Sequence, residues 1–339
     1  MFVGGGWSYI RFDRLSVGRL LKERNMPAVM RAISQRTLGG PEVLEIVEVE
    51  RPEPGPSEVL VRVHAAGVNP TDRWHRSTGG LLSDGPVPLG WDVSGVIEAV
   101  GLGVTMYRPG DEVFGMPRLP QPAGAYAEFM TSPARHLARK PAGLSHVEAA
   151  ALPVAALTAW QSLVDTAEVR PGQRVLIHAA AGGVGHLAVQ IAKARGAYVI
   201  GTASAPAHDF VRGLGADEVV DYRATAFEKA VAEVDVVLDT VGGEYGPRSL
   251  DVLRPGGVLV SLASPAEAYL TDVAERRGLR AGFTIVEPDA GGLKEIGALV
   301  DSGLLRVHVE AVLPLEEAAK AHAMGEVGGA RGKVVLTVG

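Results

Sequence analysis

The second half of the chain alternates between two hydrophobic periods. Short apolar runs typical of buried strands occur between segments whose apolar residues recur every three to four positions, as in amphipathic helices. The segment from His186 to Arg195 has this helical pattern, with Leu187, Ala188, Ile191 and Ala192 on one face. The predicted strands are residues 174–180, 197–203, 217–222, 234–240 and 257–263. This alternation predicts an α/β fold with a doubly wound parallel sheet.

The first part of the chain has a strand-rich pattern. Residues 59–65 and 94–100 are strand patterns, and turns rich in Gly and Pro punctuate the sequence around them. After residue 285 come further elements, namely helices at Gly292–Ser302 and Leu315–Met324 and strands at 305–312 and 333–338. We interpret this tail as returning to the first domain. The predicted units are an extension (1–28), a β-rich domain (29–151 and 286–339) and an α/β domain (152–285).

The first residues differ from the rest in charge. Residues 1–25 hold five basic side chains against two acidic ones, a net charge of +3. They contain no long apolar segment of the kind found in secretory signals. A second methionine, Met26, precedes the first strand pattern. We expect translation to begin at Met26; the alternative is a mobile, weakly helical basic tail.

Composition narrows the classes of function. The chain has 339 residues, a hydrophobic content of 47% and a formal charge of −6, so it has ample core and lacks the general basic character of a nucleic-acid-binding protein. No uninterrupted apolar run is long enough to predict a membrane span. With 0 Cys, neither disulfides nor thiolate zinc sites can form, and we expect no metal and a cytoplasmic location.

One glycine cluster carries the strongest functional signal. It follows the apolar strand pattern at 174–177 and opens the helix pattern at 186–195, with the spacing Ala180-x-Gly182-x-x-Gly185. A turn of this kind lets backbone N–H groups approach a pyrophosphate, and the helix N-terminus adds partial positive charge. The context predicts dinucleotide binding, and a purely structural tight turn is the alternative. The predicted contacts are Ala181, Gly182, Gly183, Val184 and Gly185.

The next predicted strand indicates which dinucleotide binds. NAD-binding units usually place Asp or Glu about twenty residues after the glycines, where it holds the ribose 2′-hydroxyl. Here residues 201–204 contain no carboxylate, which favours NADPH as the cofactor. We predict Thr202 and Ser204 as hydrogen-bond donors to the 2′-phosphate. Tyr222 borders it or simply packs, and the candidates for its counter-charge are His208, Arg212 and Arg223, of which Arg212 is better explained as a surface charge.

Besides the glycine cluster, the chain carries several further motifs in a fixed order: Ala65–Asp72, Gly90–Val96, Pro109–Val113, Gly124–Glu128, Leu157–Trp160, Asp239–Gly243 and Arg331–Leu336. Together they resemble the zinc-free quinone oxidoreductase branch of the medium-chain dehydrogenase/reductase family, the group that contains zeta-crystallin. The resemblance implies a GroES-like β-rich catalytic domain beside an NADP-binding Rossmann domain, with the active site between them. It also implies a homodimer and NADPH-dependent hydride transfer to a quinone or an α,β-unsaturated carbonyl compound.

The resemblance places Asn69 and Thr158 near the nicotinamide. Alone, Asn69-Pro70 is an ordinary turn, and a Thr158 hydroxyl bonded to its own helix is equally simple. Many relatives carry Tyr a few residues after the asparagine, where this chain has Trp74. Because an indole cannot relay a proton at neutral pH, we consider His75 as a replacement donor.

Other residues are assigned by position. The ends of two predicted strands place Gly242, Gly243, Leu262 and Ala263 beside the nicotinamide. Lys333 reaches a cofactor phosphate or is solvated, and Asp239 faces the cofactor or caps a turn. We expect Asp72 to cap a helix, and Gly90 and Asp92 to shape a buried turn.

Two alternatives remain for the function. An enoyl-thioester or 2-alkenal reductase would share the fold and the cofactor. A non-catalytic NADPH-binding protein would share only the cofactor site. The partner predicted for the reductases is a small molecule, with no nucleic acid and no membrane.

Overall fold

A computed structural model describes residues 28–80, 83 and 85–339. The predicted extension therefore lies outside the described residues except for Ala28, and the predicted start at Met26 lies wholly outside them. No helix among the described residues is both long and apolar enough to cross a bilayer.

The strands of the described chain are short, and two sheets contain most of them. In chain order they are β1 (Val29–Ser34), β2 (Glu45–Glu50), β3 (Glu58–Val68), β4 (Val93–Val100), β5 (Glu112–Gly115), β6 (Phe129–Pro133), β7 (Leu137–Arg139), β8 (Arg174–Ile177), β9 (Tyr198–Ala203), β10 (Glu218–Asp221), β11 (Val234–Asp239), β12 (Leu253–Ser261), β13 (Arg280–Phe283), β14 (Val309–Pro314) and β15 (Lys333–Thr337).

The described helices pack between and around these strands. They are α1 (Pro70–Thr78), α2 (His146–Ala150), α3 (Pro153–Trp160), α4 (Gly185–Ala194), α5 (His208–Gly213), α6 (Phe227–Ala230), α7 (Tyr245–Val252), α8 (Tyr269–Arg276), α9 (Ala290–Asp301) and α10 (Ala318–Val327). A π-helical turn, Gln161–Thr166, continues α3. Short 3₁₀ turns occupy Pro41–Val43, Ala134–His136, Ala205–Ala207, Pro265–Ala268 and Leu315–Glu317.

One sheet is parallel throughout. Within the described chain its strand order is β10-β9-β8-β11-β12-β13, which is the Rossmann order and confirms the predicted doubly wound sheet. The edge strand β13 was not predicted: its four residues, Arg280–Phe283, carry too little apolar pattern to stand out. It pairs with β12 from Val258 opposite Arg280 to Ser261 opposite Phe283.

Element boundaries differ from the predicted ones where tight turns begin. The predicted strand 174–180 ends at Ile177. Ala179 then adopts a φ of 47°, in the left-handed region, and turns the chain toward the glycines. The strand predicted at 257–263 spans Leu253–Ser261, and the one predicted at 305–312 spans Val309–Pro314.

The other sheet is mixed and is organised around the long strand β3. Its order in the described residues is β14-β15-β3-β4-β5-β7, and β6 also pairs with β3. The antiparallel pairing of β15 with β3 brings the tail of the chain back to the first sheet. A continuous apolar cluster extends from this sheet through α3 to β8 and α4, so the two sheets share one core. The exact domain limits stay a prediction.

Candidate active site at the junction of the two sheets

The glycine turn joins β8 to α4. A Cβ atom at Gly185 would lie 2.3 Å from the carbonyl oxygen of Ala179, so only glycine lets the helix begin this close to the strand. Among the described residues, the amides of Ala181, Gly183 and Val184 donate to no acceptor. These three residues are partly exposed. Free amides at a helix N-terminus suit a phosphate group, so the turn fits a dinucleotide pyrophosphate.

Thr202 in β9 stabilises this turn through a buried hydrogen bond. It is 1% exposed, and its hydroxyl oxygen accepts from the amide of Ala179 at 3.1 Å. The same hydroxyl lies 3.3 Å from Nδ1 of His178, whose Nε2 is 3.0 Å from the Ser249 hydroxyl. We therefore correct the prediction that Thr202 contacts the 2′-phosphate, because its side chain is buried and already bonded beneath the turn.

Ser204 and Tyr222 directly follow the carboxyl ends of β9 and β10, and both are less buried than Thr202. Ser204 follows β9 and makes no capping hydrogen bond to the turn after it. Tyr222 is 42% exposed, with the Arg223 guanidinium 5.6 Å from its ring centroid. His208 has a buried Nε2 without a partner among the described residues. Arg212 pairs with Asp209 at 3.6 Å, in agreement with a surface role.

Arg331 is a cation near the glycine turn that was not singled out from the sequence as a site residue. The amide of the next residue, Gly332, donates to the carbonyl of Ala181 at 2.9 Å and so joins the tail to the glycine turn. The Arg331 guanidinium lies 6.0 Å from the ring centroid of Phe210 in α5. Glu310 is 3.9 Å away, too far for a strong hydrogen bond. The residue begins the motif Arg331–Leu336, but the motif does not reveal its neighbours, which come from distant segments.

Two buried histidines beside the glycine turn, His178 and His186, are uncharged at neutral pH. His186 donates from Nδ1 to the carbonyl of Gly182 at 2.9 Å, and its Nε2 accepts from the amide of His308 at 3.2 Å. Burial lowers the pKa of His186 to about 4 and that of His178 to about 3. Neither side chain adds charge to the pyrophosphate site at neutral pH.

The carboxyl ends of β11 and β12 form the next part of the site. Leu262 donates its amide to the carbonyl of Asp239, which brings Leu262 and Ala263 beside the loop that contains Gly242 and Gly243. Oδ1 of Asp239 accepts from the amides of Val241 and Gly242 at 2.9 Å. Asp239 thus caps the turn, which was one of its two predicted roles. Burial raises the pKa of its carboxyl group.

Glu267 fastens the two loops together and was not identified from the sequence. Its Oε1 accepts from the amide of Gly243 at 2.6 Å, and its Oε2 accepts from the Ser261 hydroxyl at 2.5 Å. A Cβ atom at Gly242 would lie 2.3 Å from that of Ala263, so glycine permits this close approach. The carboxylate therefore fixes the strand ends expected to border a nicotinamide.

Thr158 lies in α3 at the junction of the sheets. It is 9% exposed, and its hydroxyl donates to the Val154 carbonyl at 2.6 Å. The hydroxyl proton is thus used within the helix, and only acceptor capacity remains for a ligand. Gln161, in the π-helical turn that follows, bonds both the carbonyl and the amide of Glu287.

Asn69 precedes α1 and is almost completely buried. The backbone amide nitrogen of Asn69 donates to Oδ2 of Asp72 at 2.8 Å. Asp72 thus caps the first turn of α1, which is one of the roles predicted for it. Asp72 also accepts from the amide of Gly90 at 2.9 Å. Burial raises the pKa of Asp72 to about 7, although both N–H groups oppose the shift.

The side chain of Asn69 belongs to a buried polar cluster. Nδ2 donates to Oδ2 of Asp92 at 2.8 Å, and Oδ1 accepts from Nζ of Lys333. Lys333 also forms an ion pair with Asp92 at 3.0 Å and is 3% exposed. We therefore correct the prediction that Lys333 is solvated or reaches a phosphate, because its ammonium group is bonded inside the catalytic sheet.

Trp74 and His75 lie further along α1. Trp74 is 39% exposed and is not bonded to Asn69. Nδ1 of His75 donates to the Thr71 carbonyl at 2.8 Å, which leaves Nε2 as an acceptor. Burial also lowers the pKa of His75. The hypothesis that His75 donates a proton is therefore wrong for this geometry.

Among the described residues, no group of three or more His, Asp or Glu side chains is placed to hold a metal ion. The complete sequence contains no cysteine.

Family profiles match both parts of the chain. The profile described as "Alcohol dehydrogenase GroES-like domain" matches residues 55–142. The profile described as "Zinc-binding dehydrogenase" matches residues 214–336. The mitochondrial NAD(P)H oxidoreductase RTN4IP1 of Danio rerio is 35% identical in an alignment of 327 residues that covers 84% of this chain and 84% of its own. A quinone oxidoreductase of Pseudomonas aeruginosa is 36% identical, over 84% of this chain and 92% of its own.

Solved structures of oxidoreductases superimpose on this chain. The quinone oxidoreductase from Coxiella burnetii superimposes with a TM-score of 0.88 at 37% identity, over 92% of this chain and all of its own. An NAD-dependent alcohol dehydrogenase gives 0.82 at 38% identity, covering 91% and 100%. A mycobacterial protein complexed with NADPH gives 0.81 at 32% identity, covering 91% and 99%.

The two sheets and the glycine turn between them define an NAD(P)H-dependent oxidoreductase of the medium-chain dehydrogenase/reductase class, with a GroES-like domain and a Rossmann domain. This confirms the predicted fold class. Within that class, the chain belongs to the zinc-free, quinone oxidoreductase-like family. Its cofactor is a nicotinamide nucleotide and its substrate a small molecule.

Proposed function

We propose that this protein transfers a hydride from NADPH to a quinone or an α,β-unsaturated carbonyl compound. The observation that carries the proposal is the set of free amides at Ala181, Gly183 and Val184. They lie in the same junction as the buried Asn69 amide, because Lys333 contacts Asn69 while the adjacent Gly332 bonds to Ala181. When bound, the cofactor supplies the hydride. The chain supplies binding, orientation and hydrogen bonds.

The preference for NADPH over NADH rests on charge at the end of β9. Residues 201–204 carry no carboxylate to repel a 2′-phosphate. Ser204, Tyr222 and Arg223 are available on the outer side, and we add Arg331 from the neighbouring tail. Arg331 is the strongest candidate, because the adjacent Gly332 bonds to Ala181 of the glycine turn and a guanidinium can bind phosphate oxygens in a bidentate manner.

The nicotinamide side of the site is mostly apolar. We assign its borders to Leu262, Ala263, Thr158 and the Gly242–Gly243 turn, which Glu267 fixes in place. Asn69 donates a hydrogen bond to the oxygen on which negative charge develops during reduction. A fixed donor stabilises that charge without reorganisation, and holding the reactants in register contributes further.

No side chain emerges as a general acid among the described residues of this site. Trp74 cannot release a proton at neutral pH, and the neutral form of His75 presents an acceptor. Asp72 is fully buried and bonded to two amides. We assign the final proton on the product oxygen to water or to a ribose hydroxyl of the cofactor.

The test is oxidation of NADPH, followed by its absorbance, with the protein from Met26 onward. The acceptors are benzoquinone, phenanthrenequinone, a 2-alkenal and crotonyl-CoA, with NADH as the control. We expect turnover of a quinone or alkenal with NADPH preferred. Turnover of crotonyl-CoA alone would favour the enoyl-thioester reductase. Tight NADPH binding without any turnover would favour the non-catalytic binding protein. The homodimer and the cytoplasmic location stay predictions.

A further inference from the structure

The polar cluster around Asn69 determines which way its amide faces. A lysine ammonium group only donates hydrogen bonds, and a carboxylate only accepts them. Lys333 must therefore face the amide oxygen, and Asp92 must face the amide nitrogen. The exchange of N and O that usually leaves amide orientation open is excluded here by the chemistry of the two neighbours.

The cluster also determines which N–H remains free. Nζ of Lys333 and Oδ2 of Asp92 are 3.0 Å apart, so with the amide they close a ring through Oδ1 and Nδ2. The N–H that bonds Asp92 is thus the one on the same side as Oδ1. The other N–H, directed away from Oδ1, has no acceptor among the described residues.

Asp92 links this amide to the helix that borders the second sheet. Its Oδ1 accepts from the amide of Val154 at 2.6 Å, in the first turn of α3. One turn later, α3 carries Thr158. Asp92 is fully buried, and a Cβ atom at Gly67 would lie 2.5 Å from its Oδ2, so the carboxylate has little freedom to move.

We propose that Asp92 and Lys333 are positioning residues that hold Asn69 with one N–H directed at the substrate oxygen. This inference rests on the proposed function for the identity of that oxygen. The ammonium group withdraws electron density through Oδ1 and makes the free N–H a stronger donor. The pair thereby prepares the donor before the substrate arrives, at a fixed distance from α3.

The sequence allows a direct test of the amide without turnover. The whole chain contains two asparagines, Asn25 and Asn69, so labelling with ¹⁵N-asparagine yields two side-chain amide signals in NMR. Asn25→Gln identifies the signal of Asn69. We expect the two Nδ2 protons of Asn69 to exchange with solvent at least about tenfold more slowly than in the same protein unfolded in urea.

The decisive variant removes both charges together, because either one alone would leave its partner buried and unpaired. In Asp92→Asn/Lys333→Met, Oδ1 is kept for Val154, while the new amide group sets a donor against the donor of Asn69. The variant also adds a third labelled amide, so Asn69→Gln on the same background identifies the Asn69 signals. We expect the Asn69 signals to shift and their exchange to accelerate. Lys140→Met is the matched control, because Lys140 is also a buried lysine paired with a carboxylate, Glu112 at 3.3 Å. It should leave the Asn69 signals unchanged.

Steady-state kinetics distinguish a role in positioning Asn69 from a role in folding alone. We expect the double variant to lower kcat about tenfold or more, with the KM for NADPH changed less than about threefold. Asn69→Ala on that background should cost less than about twofold further, because the same donor is already lost. Independent, multiplying losses would overturn the proposal, as would Asn69 signals that the double variant leaves unchanged. If no acceptor is turned over, the proposed function fails, and the NMR signals still decide the orientation of Asn69.

Discussion

The amide nitrogen of Gly332 donates to the carbonyl oxygen of Ala181 across 2.9 Å, which fastens the start of β15 in one sheet to the glycine turn of the other. On either side of this bond lie Arg331, near α5, and Lys333, bonded to Asn69. Three consecutive residues of the tail thus reach α5, the glycine turn and Asn69 at once. Both ends of the site depend on the path of this short segment.

Arg331 gives the sharpest prediction about cofactor choice. We expect Arg331→Gln to weaken NADPH binding about tenfold, since one charge-assisted phosphate contact is lost, and to leave NADH binding unchanged. Titration of the reduced nicotinamide fluorescence measures both dissociation constants. Arg135→Gln is the control, because Arg135 is exposed and lies in the 3₁₀ turn between β6 and β7. Equal losses for both cofactors would indicate a pyrophosphate contact instead.

Gly185→Ala tests the fit of the glycine turn. The added methyl group would lie 2.3 Å from the Ala179 carbonyl, so α4 must move away from β8. We expect a loss of about 1–3 kcal/mol in the free energy of unfolding and at least about tenfold weaker NADPH binding. Gly143→Ala is the matched control, since a Cβ there meets nothing within 4 Å. Equal behaviour of the two variants in urea unfolding and cofactor titration would contradict the packing argument.

His322 predicts a defined pH dependence of stability. Burial and the charges of Arg76 and Arg73 lower its pKa from 6.5 to about 3, so the unfolded chain takes up a proton that the folded chain refuses. The stabilisation is complete above pH 6.5 and is lost as the pH falls toward 3. We expect His322→Gln to flatten the acid loss of unfolding free energy by about 1.4 kcal/mol per pH unit. Urea unfolding between these pH values measures it.

The control for this prediction is His308→Gln, because the His308 side chain is 41% exposed. The unfolding free energy of this control should depend on pH as steeply as that of the unsubstituted protein. A His322→Gln protein with an unchanged pH dependence would show that the buried ring does not govern the acid transition.

Substitution of Trp74 tests whether a side chain at this position can supply the general acid that the site lacks. Its side chain is 39% exposed, so we expect Trp74→Tyr and Trp74→Phe to change the Tm little. Only tyrosine brings a hydroxyl group that can donate a proton, and we expect it to raise kcat with a quinone by up to about tenfold. Trp74→Phe controls for the smaller ring. If both variants have the same kcat and the same pH profile, position 74 does not reach the substrate.

Local patterns predicted the local parts of the site. The turn at Gly182–Gly185 follows from glycine spacing between a strand and a helix, and Asp72 caps α1 as its position after Asn69 suggests. Thr202 was misplaced because it lies within β9, where its hydroxyl is buried and bonded to the glycine turn, a contact that no local pattern reveals. Ser204 follows the strand and is only partly buried.

Contacts between distant segments could not be predicted. Lys333 meets Asp92 across 241 positions of sequence, and although each lies in a recognisable motif, neither motif shows that they pair. Glu267 lies 24 positions after Gly243, in a stretch that resembles an ordinary exposed turn. The edge strand β13 was missed because four residues carry too weak a periodic signal. The fold class survives such omissions because it depends on the order of many elements.

The late position of β15 has a consequence for synthesis. A growing chain can form the glycine turn and the first strands of the Rossmann sheet early, because these contacts are local. Ala181 finds Gly332, and Asn69 finds Lys333, only after the ribosome has translated the tail. A nascent chain would therefore acquire a nucleotide-shaped turn well before it acquires an oriented asparagine, and the site would become competent in a single late step.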